Sequence, residues 1–165
     1  MAAGKSTVAQ ALAERLPKSA HVRGDVFRRM IVSEREEMEP PFTEEAVEQL
    51  NLRYRIAAQV AEMYCAAGFT AIYQDIILGA ALQAVVDLLK AKRTTYGIVL
   101  CPVPNVVAER EAGRGKVGYV GWSPADLDKE LRDNTPHLGL WLDTSALTVA
   151  QTVDAILARL DEAKL

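Results

Sequence analysis

Short apolar runs alternate along the chain with stretches in which apolar residues recur at helical spacing. Val8, Leu12 and Leu16, with Ala9, Ala11 and Ala13, share one face, with Gln10, Glu14 and Arg15 opposite. Pro17 stops that helix. His21–Arg23 is a short strand candidate ending at Gly24-Asp25, and 26–32 reads as a short helix. The charged, Pro-containing stretch 34–42 is a connection. Thr43-Glu44-Glu45 starts a long helix to Ala67, with Ala46, Leu50, Tyr54, Ala57, Ala61 and Cys65 on one face and Gly68 at its end. Thr70–Tyr73 is a buried strand leading to Gln74-Asp75, and 79–91 is a helix. A second buried strand spans 96–103, closed by Pro102 and Pro104, with a short helix over 105–112. Ser123-Pro124 opens a helix through Leu131, and 138–142 is a last strand ending at Asp143. Thr148 with Gln151 forms a capping box for a terminal helix. Strands alternating with helices predict an α/β fold, a parallel sheet with helices on both faces.

Composition narrows the class without naming a function. A length of 165 residues suits one domain spanning 1–165. Half the residues are hydrophobic and a quarter charged, with a net charge of -3, which argues against nucleic acid or a membrane surface as the main partner. Cys65 and Cys101 do not make a disulfide framework and are expected to be free, buried thiols of a cytoplasmic protein. The N-terminus has no signal-peptide plan. The longest apolar stretch, 76–89, is broken by Gln83 and Asp87 and is too short to span a bilayer.

The chemistry is concentrated at the start. Gly4-Lys5-Ser6-Thr7, preceded by Ala3, is the second half of G-x-x-x-x-G-K-[ST]. In that loop backbone amides wrap nucleotide phosphates, the Lys reaches the β- and γ-phosphates, and the Ser or Thr hydroxyl holds Mg²⁺. A loop feeding a helix N-terminus also places the helix dipole on an anion. The first Gly of the pattern would lie five residues before Gly4, so the expectation is that the leading strand and half the loop are missing from this chain.

In open parallel sheets ligands bind beyond the carboxyl ends of the strands. Those ends carry Asp25, Asp75 and Asp143, and the Gly4 loop opens on the same edge. One carboxylate there can accept a proton from an attacking hydroxyl and another can orient metal-bound water. Asp25 and Asp75 are read as functional, Asp143 as a turn residue. Arg110 and Arg114 flank a Gly-rich segment placed where a lid, over 104–135, would bring arginines onto a transferring phosphoryl group. Arg28 and Arg29 are candidates for gripping an anionic substrate, with a surface face as the alternative. Trp122, Tyr119 and His137 are candidates for an acceptor pocket, with packing on the core as the alternative.

The segments GKST, Gly24-Asp25, AGFTAIYQDIILG, VPNVVAEREAGRGK and LGLWLDTSALTVAQTVDAIL together resemble the chloramphenicol phosphotransferase-like group of small P-loop kinases over nearly the whole chain. The resemblance implies a three-layer P-loop NTPase fold of nucleotide-kinase type with strand order 2-3-1-4-5, the first strand being the one missing here. It implies that Asp25 is the base for the acceptor hydroxyl. It matches Ala3, Gly4, Lys5 and Ser6 to the phosphate loop, Arg110, Glu111, Arg114 and Gly115 to the lid, and Asp75 to the carboxylate after the third strand. Nothing around the acceptor site carries chloramphenicol over. The resulting expectation is an enzyme that moves the γ-phosphoryl group of ATP, with Mg²⁺, to a hydroxyl of a small molecule. Ala3, Gly4, Lys5, Ser6, Thr7 and Arg110 would bind the nucleotide, Ser6 and Asp75 serve the metal, and Asp25, Lys5, Arg110 and Arg114 serve catalysis. The alternatives are a nucleoside or nucleotide kinase and a nucleotide-binding protein without turnover. Loss of the central strand would leave the chain marginally stable unless its two neighbours close up and pair directly.

Overall fold

Among the described residues four strands form two parallel pairs. The computed structural model, which describes residues 2–113 and 121–165, begins with α1 (Lys5–Arg15) and then pairs β1 (Ser19–Arg23) with β2 (Thr70–Gln74). The second pair is β3 (Ile98–Leu100) with β4 (Leu140–Leu142). Ser19 lies opposite Thr70, and Ile98 opposite Leu140. No hydrogen bonding joins β2 to β3. The two strands face each other across a cavity of about 550 Å³, lined from both sides by apolar and charged residues. They have not closed up into one sheet.

Helices cover both faces. On one face α1 and α7 (Val149–Ala158) bury Val8, Leu12, Val153 and Ile156 against Leu142, with Ile72, Ile98 and Leu100 packed on them. On the other, α3 (Glu44–Ala66) sets Ala57 and Ala61 against Val22, with Ala71 and Tyr73 alongside. The small alanines let the long helix approach the strands closely. Val153 and Ile156, each 1% exposed, contribute about 1.5–3 kcal/mol apiece through burial. This is the expected three-layer α/β arrangement of P-loop NTPases.

Caps fix where the helices start. Thr43 accepts from the Ala46 amide at 3.1 Å, and Thr148 and Gln151 cap each other at 2.9 and 3.2 Å. Several boundaries differ from expectation. The strand expected over 96–103 is only Ile98–Leu100, because Tyr96 bridges Lys164 in the antiparallel sense and Pro102 and Pro104 carry no donor. The helix expected over 26–32 is α2 (Gly24–Arg29). α4 (Ala80–Lys90) and α5 (Pro104–Ala112) match their patterns, whereas α6 (Pro124–Lys129) widens into a π-type turn over Glu130–Asn134. The chain ends with α8 (Leu160–Ala163). Cys101 is buried just past β3, and Cys65 is only half-buried; both are free thiols. Arg114, Gly115 and Tyr119 lie outside the described residues. Among the described residues no helix is long and apolar enough to cross a membrane.

Candidate active site

The loop leading into α1 has the backbone of an anion cradle. Gly4 takes φ 86°, a left-handed conformation that favours glycine. No side chain caps α1 and no acidic residue occupies its first turn, so the amides there are not neutralised by the helix's own sequence. Ser6 donates its hydroxyl to Gln74 Oε1 at 3.0 Å, which ties the loop to the carboxyl end of β2. Ala2 is buried, and its amide donates to Glu111 Oε2 at 3.0 Å on α5. Ala3, Lys5 and Asp75 are among the residues that line the cavity. Thr7 is exposed.

One residue past Gln74, Asp75 is held in a closed polar cluster. Its side chain is 2% exposed and that of Arg53 is 6% exposed. Arg53 donates from Nε to Oδ2 at 3.0 Å and from Nη2 to Oδ1. The Ile76 amide donates to Oδ1 at 2.8 Å, and the Tyr73 hydroxyl to Oδ2 at 3.2 Å. Burial pushes the Asp75 carboxyl up, while the Arg53 guanidinium pulls it back down. Burial and the neighbouring carboxylate push the Tyr73 phenol up, so it stays a donor. The carboxylate expected to serve Mg²⁺ thus has both oxygens occupied by protein donors. Among the described residues no cluster of three or more His, Cys, Asp or Glu could hold a metal ion.

Asp75 instead abuts the backbone that carries Asp25. A Cβ at Gly24 would overlap the Asp75 carboxylate. Gly24→Ala is therefore expected to cost about 1–3 kcal/mol through overpacking. A urea midpoint unchanged from the parent would contradict that contact.

Asp25 opens α2. Its Oδ2 pairs with Arg29, and Arg23 Nε stands 3.6 Å from Oδ1. Oδ1 is buried and has no hydrogen-bond partner among the described residues. Arg28 pairs with Glu37. The two arginines considered for an anionic substrate are therefore engaged with carboxylates of the chain itself. Nearby, His21 Nδ1 contacts Gln10 Oε1 at 2.9 Å, and burial holds its pKa below the ordinary value.

The remaining candidates sit around this edge. Arg110 donates to the carbonyls of Thr144 at 3.0 Å and Ser145 at 3.5 Å, linking α5 to the loop after β4. Asp143 accepts from the Ser145 amide at 2.9 Å, the turn role expected of it. Trp122 donates to the Met38 carbonyl at 3.0 Å and stacks on Phe42 at 5.8 Å. His137 stacks on Trp141 at 4.5 Å. Trp122 thus joins the lid region to the 34–42 connection, and His137 packs on β4.

The contacts place Ser6, Gln74, Asp75, Gly24 and Asp25 in one continuous chain across the ends of β1 and β2. Sequence reasoning missed three supporting contacts. Arg53 follows Ala46 by seven and precedes Ala57 by four. That spacing puts it on the apolar stripe of its own helix, where a lone charge signals a buried partner. Gln74 sits at the strand end but left no signal of a bond to Ser6. Glu111 as partner of the Ala2 amide was equally silent.

Comparison with known proteins agrees with this architecture. The family model described as "AAA domain" matches residues 1–133. The tunicamycin resistance protein of Deinococcus radiodurans superposes with a TM-score of 0.65 at 22% identity, covering 98% of this chain and 91% of that one. An unliganded sugar kinase of Janibacter sp. superposes with a TM-score of 0.68 at 20% identity, covering 98% and 90%. At these identities the likeness speaks for the fold alone. No curated protein matches the chain. With the family model covering most of its length, the chain belongs to the AAA domain family and has the P-loop NTPase fold.

Proposed function

We propose that the protein is a phosphotransferase that moves the γ-phosphoryl group of ATP, with Mg²⁺, to a hydroxyl of a small molecule. The observation that carries the reading is the continuity from the Gly4–Ser6 loop through Gln74 and Asp75 to Gly24-Asp25. It joins a phosphate cradle to a carboxylate with an unbonded oxygen. The resemblance to chloramphenicol phosphotransferase-like kinases, and the kinase among the solved structures of this fold, support the same class.

The donor set fits a nucleotide phosphate. The left-handed Gly4, the uncapped first turn of α1 and the Lys5 ammonium all favour an anion. Ala3, Gly4, Lys5, Ser6 and Thr7 would hold the phosphates, and the Ser6 hydroxyl would face the cation. Mg-ATP, when bound, supplies the transferable phosphoryl group and a counter-charge for its oxygens. Gln74 holds the Ser6 side chain in place. Asp25 would accept the proton of the acceptor hydroxyl as that hydroxyl's oxygen bonds to the γ-phosphorus and the bond from phosphorus to the β–γ bridging oxygen breaks, releasing ADP. Asp75 acts on this site as a positioning residue, fixing Gly24 while Arg53 fixes Asp75.

Arg110, with Arg114 from the same region, would neutralise charge building on the phosphoryl oxygens after lid closure. Arg110→Ala is expected to lower kcat more than it raises KM for ATP, since a contact made only after closure acts on the transition state. Steady-state kinetics check it; a rise in KM alone would make the arginine a ground-state contact.

The function itself is tested by following ATP consumption with and without a panel of hydroxylated small molecules. Stimulation by at least one acceptor, with phosphate appearing on its hydroxyl, is expected. Mg-ATP binding with no turnover on any acceptor would favour a nucleotide-binding protein. Preferred transfer to a nucleotide phosphate would favour a nucleotide kinase.

A further inference from the structure

Asp25 is closed to an incoming hydroxyl as it stands. Its Oδ1 is buried and has no hydrogen-bond partner among the described residues. The side chain is 34% exposed, so what solvent reaches of the carboxylate is its Oδ2 side. Arg29, one helical turn further on, caps that oxygen. An acceptor hydroxyl therefore meets the Arg29 guanidinium before it meets the carboxylate. The proposed base works only after Arg29 has moved.

The cap is free to move. Arg29 is 61% exposed, and its pair with Asp25 is an i,i+4 contact. Exposed pairs of this kind are weak, because solvent screens them and holding two side chains costs entropy. Arg23 stands on the other side of Asp25, with Nε 3.6 Å from Oδ1. It keeps a counter-charge beside the carboxylate when Arg29 leaves. Arg28, by contrast, is paired with Glu37, and Arg35 lies 3.8 Å from the same carboxylate.

The local charge indicates what draws Arg29 off. Arg23 and Arg29 share the single negative charge of Asp25, which leaves one positive charge over. Burial holds the pKa of His21, which also feels Asp25, below its ordinary value, so His21 stays neutral. A carboxylate or phosphate supplies the missing negative charge. Either one can take two parallel hydrogen bonds from the planar fork of an arginine.

We propose that the acceptor carries a carboxylate or phosphate group and that Arg29 recognises it by leaving Asp25. The proposal rests on Asp25 being the base. Binding the right substrate and freeing the base are then one event. The anion takes the guanidinium, and Oδ2 is left to accept the hydroxyl proton. A neutral alcohol leaves the cap in place. The anion and the reacting hydroxyl bracket the contact between the guanidinium and Oδ2. They therefore lie within roughly 6 Å of each other, two hydrogen-bond lengths. That describes a hydroxy acid or a sugar phosphate whose two groups are a few bonds apart.

Matched acceptors test this: a sugar acid against its sugar alcohol, and a sugar phosphate against the free sugar. The Arg29 Nε–H resonance of the labelled full chain is followed first, without nucleotide. An anionic member should shift it in a saturable way, and its neutral partner should not. The pair that responds tells carboxylate from phosphate. With Mg-ATP present, the anionic member should exceed its partner in kcat/KM by at least about tenfold. Arg29→Gln should erase that ratio, mainly by raising KM for the anionic member, and Arg29→Lys should keep part of it. The proposal falls if no anionic acceptor moves the Arg29 signal, or if neutral and anionic members are phosphorylated alike. It also falls if Arg29→Gln slows both members equally, which would make Arg29 a support of Asp25 alone. If an anionic acceptor moves the Arg29 signal but no acceptor is phosphorylated, recognition by Arg29 holds and the transferase reading falls.

Discussion

Asp25→Asn is expected to lower phosphoryl transfer by about 10²–10⁴-fold while leaving Mg-ATP binding in place. The fall corresponds to roughly 3–5 kcal/mol of barrier. Asn keeps the shape and can still accept from Arg29, so α2 should hold its position. It has no negative charge with which to take the proton of the acceptor hydroxyl. The loss should therefore appear in kcat at saturating acceptor, not in KM for ATP. Single-turnover kinetics with a stimulating acceptor would show it. Near-parental turnover would remove Asp25 from the chemistry.

Arg53→Met should be the most destabilising single change near the site. It strips the Asp75 carboxylate, 2% exposed, of its charged partner. Breaking a buried ion pair by removing one member costs about 3–5 kcal/mol, because the remaining charge stays buried. A domain stability of about 5–15 kcal/mol makes this a large fraction of the total. The double variant Arg53→Met/Asp75→Asn should recover part of the loss, since no charge is then stranded. Denaturant melts of the parent, two single variants and double variant measure the coupling. If Arg53→Met melts like the parent, the pair does not hold the strand end together.

The layers were legible in the sequence because period and punctuation agreed. Thr43, Thr148 and Gln151 signalled helix starts that the hydrogen bonds reproduce. The loop at Gly4 was legible because its left-handed turn, lysine and hydroxyl fall in a fixed spacing. Strand length was less legible. Residues 96–103 read as one apolar run, but only Ile98–Leu100 has β4 beside it. Pairing is a property of two segments, and no single segment shows it. The environment of Asp75 was hidden for a related reason. A carboxylate at a strand end looks the same in sequence whether it faces solvent, metal or an arginine 22 positions away. The charge of Arg53 on the Ala46–Ala57 stripe was the available hint. The gap between β2 and β3 is visible only once the two strand pairs are placed.

Titrating the isotopically labelled protein with Mg-ATP and following the amide resonances of Gly4, Lys5 and Ser6 tests the central claim most directly. Those amides should shift together and saturate, and Lys5→Met should abolish the response while leaving the folded spectrum intact. A folded chain whose Gly4–Ser6 amides stay in place at millimolar Mg-ATP would contradict a nucleotide site at this loop.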